Sequence, residues 1–175
     1  MPGRRLILIR HAEAEPAAAS GGDDFARCLT SAGESRMRAV AALLLAQTGP
    51  LTRVMCSPLL RARQSAAILA EILQSARLEV VPALAPDASW AELDAWLGTV
   101  PVADAGPAAL VGHMPGIADL ACRFVNLDST VAFAMPTAGA IVLEFSGALA
   151  PGMARPGWAE PARLAADLAR LGAGG

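Results

Sequence analysis

Apolar residues in this chain come in short unbroken runs that stop abruptly at polar ones. Leu6-Ile7-Leu8-Ile9 ends at Arg10-His11, and a continuous apolar run of that length predicts a strand covered on both faces. Leu51 to Cys56, Leu78-Glu79-Val80-Val81, Ala108 to Gly112 and Ala140 to Phe145 predict four more strands, and Met153 to Trp158 an edge strand. Between the runs the pattern changes to a helical period. Met37, Val40, Ala41 and Leu44 follow Thr30, which can cap, and Gly49-Pro50 stops that helix. Ser57-Pro58 places a capping hydroxyl before a helix reaching about Gln74, with Ile68, Leu69 and Ile72 as its apolar stripe. Ser89-Trp90-Ala91-Glu92 matches a capping box ahead of Leu93 and Leu97. Ile117, Leu120, Ala121 and Phe124 form the next stripe, and Pro161 to Leu171 predicts a terminal helix through Leu164, Leu168 and Leu171. Strands alternating with helices predict a three-layer α/β/α domain with a mostly parallel sheet, a single unit over residues 1–175.

The polar residues at the strand ends are of one kind. The first strand ends in Arg10 and His11, the second in Ser57 with Arg61 one turn later, and the fourth in His113. In an open α/β sheet, ligands bind in the crevice outside the carboxyl ends of the strands. Two arginines, the chain's two histidines and a helix amino terminus are therefore expected to face one space. Such a set suits a compact multivalent anion, with phosphate the obvious candidate. Arginine stays protonated and offers a planar fork of donors, so Arg10 and Arg61 read as clamps. Histidine can act as nucleophile, acid, base or ligand.

Composition removes several alternatives. A net charge of −2 with 17% charged residues provides no basic field for collecting nucleic acid. Three widely spaced cysteines, Cys28, Cys56 and Cys122, indicate neither a disulfide framework nor a cysteine zinc site, and point to a reducing, cytoplasmic setting. The leading apolar stretch, Leu6 to Ile9, is too short for a signal sequence, and no run approaches a membrane span. Two histidines are too few for zinc unless Glu13 or Glu15 joins them, and crowded arginines oppose a cation, so neither metal nor other cofactor is expected. A monomer is the default at 175 residues.

Four segments in order then resemble the histidine phosphatase superfamily, which also holds the cofactor-dependent phosphoglycerate mutases. Ile9-Arg10-His11 resembles its R-H-G signature, Leu29-Thr30-Ser31-Ala32-Gly33 its L-T-x-x-G segment, Ser57 to Ser65 its S-P-x-x-R-A-x-Q-T segment, and Val111-Gly112-His113-Met114-Pro115 its second-histidine segment. Met135-Pro136-Thr137-Ala138-Gly139 is similar to a later pocket loop. The short length is most similar to the phosphohistidine phosphatase, or SixA-type, branch. The resemblance implies a phosphoglycerate-mutase-like fold and a metal-independent phosphatase in which His11 attacks phosphorus and is itself phosphorylated. Arg10, Arg61 and His113 would bind the phosphoryl oxygens, with Thr137 as a further substrate contact. The implied partner is a phosphorylated histidine-containing protein, or else a small phosphorylated metabolite; a non-catalytic phosphate-binding or interaction domain is the reading from a different class.

Departures from the pattern bear on the chemistry. Ala12 replaces the glycine after His11, which would cost about 1–2 kcal/mol if that turn were left-handed. Arg63 stands where branch members often have glutamate, and reads as surface. Asp87 and Glu92 lie where larger members carry a general acid, but neither sits in a matching motif. A missing acid favours phosphohistidine, because imidazole leaves phosphorus more readily than an alkoxide does. Read without the family pattern, Ser57 is a helix cap, Glu13 and Glu15 are loop solubility groups, and Trp90 and Trp96 are packing residues.

Overall fold

The computed structural model describes residues 4–100, 106–126, 135–145, 149 and 151–160. Ten regular elements follow in chain order: β1 (Arg4–Arg10), α1 (Ser31–Thr48), β2 (Arg53–Cys56), α2 (Leu60–Ile72), β3 (Leu78–Val80), α3 (Trp90–Thr99), β4 (Ala108–Gly112), α4 (Gly116–Phe124), β5 (Ala140–Phe145) and β6 (Ala154–Glu160). Short 3-10 turns lie at Ala17–Ser20, Asp24–Ala26 and Pro82–Leu84. The segment expected to form a terminal helix, Pro161 to Leu171, lies outside the described residues, as does most of the linker-like Pro101 to Pro107 stretch.

The strands form one sheet in the order β3-β2-β4-β1-β5-β6. The β3-β2, β2-β4 and β4-β1 pairs are parallel, whereas β1-β5 and β5-β6 are antiparallel. The expected mostly parallel three-layer architecture is thus present, with an antiparallel flank on one side of the central strand.

Alternation along the strands builds the layers. Leu6 and Leu8 of β1 join Met55, Leu110, Ile141 and Leu143 on one face, packed against Leu93, Leu97, Ile117, Leu120 and Phe124 of α3 and α4. Ile7 and Ile9 join Val54, Cys56, Val111 and Val142 on the other, under Met37, Val40 and Leu44 of α1 and Leu69 of α2. Full burial of each such side chain contributes about 1.5–3 kcal/mol, so the unbroken apolar run of β1 is what a strand with helices on both faces requires. Among the described residues, β1 is also the only strand with both a parallel and an antiparallel neighbour. Its carboxyl end is therefore surrounded on both sides by chain. Among the described residues no helix is long and apolar enough to cross a membrane.

Candidate active site

Register brings the strand ends together. Arg10 pairs with Gly112 across β1 and β4, and Cys56 pairs with Val111 across β2 and β4. The residue after each strand is tied to the next one along: His11 N donates to Gly112 O at 3.0 Å, and Ser57 N to Val111 O at 3.0 Å. His11, His113 and Ser57 are consequently neighbours at the carboxyl ends of three adjacent strands. The two imidazole rings lie with centroids 5.0 Å apart, tilted at 54°.

The tautomer of His11 follows from its two contacts. Its Nδ1 lies 2.7 Å from the Ala12 carbonyl oxygen, which can only accept, so Nδ1 carries the proton. Nε2 then holds the lone pair and accepts from Arg61 Nε at 3.2 Å. Burial, reinforced by the charges of Arg61 and Arg10, pushes the His11 pKa down to about 4, so the ring is neutral near pH 7. His113 is pushed down to about 3 by burial and by His11 and Arg61. Its Nε2 lies 2.8 Å from Ser57 Oγ, and its Nδ1 is buried without a partner among the described residues.

Arg61 enters from the first turn of α2 and is buried, at 5% exposure. Its two terminal nitrogens donate to Asp24, one to the backbone oxygen at 2.7 Å and the other to the carboxylate at 3.0 Å. Asp24 also pairs with Arg27 at 2.9 Å, and these two guanidinium groups hold its carboxyl below the usual carboxylate range. A carboxylate, that of Asp24, therefore borders the basic cluster. The sequence showed Asp23-Asp24 only as loop polarity. A usable signal was present, since a loop flanking a pocket of arginines and carrying acids can orient one of them.

Arg10 donates from one terminal nitrogen to Met135 O at 2.8 Å, while its Nε is buried with no partner among the described residues. Of the cluster's two nitrogens without a partner, Arg10 Nε is a buried donor without an acceptor, whereas the role of His113 Nδ1 depends on which ring nitrogen carries the proton. An anion's oxygens supply acceptors, whereas a metal cation would not. Among the described residues no group of three or more His, Cys, Asp or Glu side chains is arranged to hold a metal. Thr137 is half-buried in the turn that docks on His11 through Ala138 N, 3.1 Å from the His11 oxygen; it borders the four residues without joining their hydrogen bonds.

One sequence expectation changes, and the condition set on Ala12 is not met. α2 begins at Leu60 with Leu59 at its cap position and no side-chain cap, so Ser57 is not the helix cap. The Ser57 backbone is still paired with β4, and its hydroxyl, fully buried, lies 2.8 Å from His113 Nε2 and accepts from Leu59 N at 3.4 Å. Ala12 does not have a positive φ; among the described residues the non-glycine ones that do are Gln74, Asn126 and Ala138. Ala12 is instead fully buried, with its N–H donating to Ser65 Oγ at 3.1 Å, so the methyl group in place of glycine brings no backbone strain. Arg63 is exposed, as expected.

Comparison with known proteins gives the family and the fold. The family profile described as histidine phosphatase superfamily (branch 1) matches residues 6–95. An uncharacterised protein of Picosynechococcus sp. is 37% identical over 118 residues, covering 66% of this chain and 70% of that protein. Among solved structures, a candidate phosphohistidine phosphatase SixA from Nakamurella multipartitia is 28% identical, superposes with a TM-score of 0.71, and aligns over 91% of this chain and 98% of its own. The protein histidine phosphatase SixA complexed with tungstate shares the fold at a TM-score of 0.73 and 24% identity, over 89% of this chain and 95% of that one. With the profile spanning β1 to α3 and the fold matching across nearly the whole chain, this protein is a phosphatase belonging to branch 1 of the histidine phosphatase superfamily.

Proposed function

We propose that the protein removes the phosphoryl group from phosphohistidine in a partner protein, through a phosphohistidine intermediate on His11. The observation that carries this reading is the state of His11: Nδ1–H is fixed on the Ala12 carbonyl, and a bare Nε2 points at a guanidinium. A neutral imidazole held by one nitrogen is a nucleophile at the other.

In the first step the Nε2 lone pair forms the new N–P bond, and the bond from phosphorus to the donor breaks, its electron pair staying with the leaving nitrogen. In the second, water attacks the phosphohistidine, the N–P electron pair returns to Nε2, and inorganic phosphate leaves. Arg10, Arg61 and His113 hold the phosphoryl oxygens through both steps, which is where positioning and electrostatic stabilisation supply most of the rate. Thr137, in the turn against His11, is assigned a supporting contact to the same group. Neutrality of both histidines near pH 7 suits these roles, because a protonated His11 has no lone pair to offer.

The test is incubation with a phosphorylated histidine-containing phosphotransfer domain. The wild-type protein is expected to release phosphate and to carry acid-labile phosphate during turnover; His11→Ala is expected to lose at least roughly 10³-fold in rate. Equal release by both proteins removes the mechanism. Efficient turnover of sugar phosphates with none of the phosphohistidine protein would move the assignment to a small-molecule phosphomonoesterase.

A further inference from the structure

Beside His113 the surface opens into a cleft of about 190 Å³ whose chemistry differs from that of the arginine cluster. On one side it is walled by Leu84, Pro86, Trp90 and Leu93, from the Pro82–Leu84 turn and α3; on the other by Met114 and Ile117. His113 itself lines it, so it is continuous with the phosphoryl site. Asp119 is the one carboxylate among its described lining residues, which include no lysine or arginine.

The charge balance at this cleft runs opposite to that of the catalytic cluster. Asp119 lies in the first turn of α4 and is half-buried, and its carboxylate has no hydrogen-bond or ion-pair partner among the described residues. The first turn of α3, on the facing wall, is closed by a capping box in which Glu92 accepts from Ser89 N and Ser89 Oγ, both at 2.8 Å. A carboxylate thus already sits at the positive end of each helix bordering the cleft, offsetting the attraction those ends would have for an anion. Arg123, the arginine of α4, lies over the Trp90 ring at 4.5 Å and is paired with Asp94 at 3.0 Å; it is not among the residues that line the cleft.

We infer that this cleft seats the leaving group, and that it selects an uncharged or cationic nitrogen ring over a leaving group bearing negative charge. The inference rests on the phosphohistidine reading above and assigns the residues that select its leaving group. The occupant is the imidazole of the partner's phosphorylated histidine, lying against the apolar walls, with Asp119 as the acceptor available to a ring N–H. When that second nitrogen already carries a proton, cleavage of the P–N bond leaves its electron pair on the first nitrogen and releases neutral imidazole. No proton has to be delivered in the transition state, so a site without a placed general acid is sufficient for this substrate. A leaving group such as glycerate would bring its carboxylate beside Asp119 with no cation among the lining residues to receive it.

The experiment compares kcat/KM for N-phosphoimidazole and for 3-phosphoglycerate in the wild-type protein, Asp119→Asn and Asp119→Arg, with competitive inhibition by imidazole as a second readout. The ratio favouring N-phosphoimidazole is expected to fall severalfold in Asp119→Asn and about tenfold or more in Asp119→Arg, in keeping with loss and reversal of one partly exposed charge contact. Imidazole is expected to inhibit both variants more weakly, while inorganic phosphate inhibits all three proteins alike. A ratio and an imidazole inhibition constant that stay the same in both variants overturn the leaving-group cleft while the phosphatase reading stands. Failure of the wild-type protein to hydrolyse either compound or the phosphohistidine domain overturns that reading, and this inference with it.

Discussion

Arg61 holds three positions at once: its Nε faces His11, and its two terminal nitrogens grip the backbone and side chain of Asp24. Fixing both terminal nitrogens sets the plane of the guanidinium, and with it the direction of Nε. Asp24→Ala is therefore expected to lower kcat/KM by roughly 10- to 100-fold, as misplacement of a positioned group does. Its carboxylate is 52% exposed, so thermal stability should hardly move. A kinetic defect matched by an equally large loss of stability would show that Asp24 merely holds the fold. Arg10, His11, Arg61 and His113 were all legible in the sequence because each lies at or just beyond a strand end, where apolar patterning stops. Asp24 was not, since it comes from a loop whose acids look like ordinary solvation until Arg61 is seen against them. Ser57 was legible as a site-edge residue but with the wrong partner. A serine before a proline suits a helix cap, and only the β2–β4 register reveals the histidine beside it.

At the scale of elements, the L-T-x-x-G segment explains how α1 is joined to the site. Thr30 caps α1 by accepting from Gly33 N at 2.9 Å, and its own N–H donates to Glu13 O at 3.1 Å, two residues beyond His11. A Cβ at Gly33 would fall on the Glu13 carbonyl. Glycine is thus needed there for close approach of a helix to the loop that follows β1. Gly33→Ala is expected to cost about 1–3 kcal/mol, the usual range for overpacking, and to reduce activity as the loop shifts. The checks are the urea midpoint and kcat/KM; an unchanged midpoint would mean the loop yields freely. The helical stripes and strand runs predicted these elements well, since burial on one or two faces writes itself into periodicity. Boundaries were less legible. α2 starts three residues after Ser57 and ends at Ile72 rather than Gln74, because a backbone that satisfies β4 first cannot turn into helix at once.

Across the whole molecule, two buried neutral histidines make stability depend on pH. Unfolded histidine takes up a proton near pH 6.5, whereas folded His11 and His113 do so only near about 4 and about 3. As pH falls below about 6.5 the unfolded chain binds protons that the folded one refuses, so stability declines until both folded values are passed. The lowered Asp24 carboxyl works in the same direction at the acid end, its contribution being lost as it protonates. Urea midpoints are expected to drop between pH 7 and pH 4.5, and to drop less in His11→Ala; a flat profile over that window would contradict the burial of neutral rings. The three-layer fold itself was readable from alternation alone. The antiparallel flank was not, since β5 and β6 carry the same apolar pattern whichever way they run beside β1.

The contact between Arg61 Nε and His11 Nε2 has a consequence for chemical selectivity. An imidazole whose lone pair is already accepting a guanidinium N–H is a poor target for alkylating or acylating reagents, which bring nothing to draw that hydrogen away. A phosphoryl group does bring it, in the form of anionic oxygens that compete for the same N–H. On the proposed mechanism, the phosphoryl group is therefore also the electrophile that uncovers the nitrogen it reacts with.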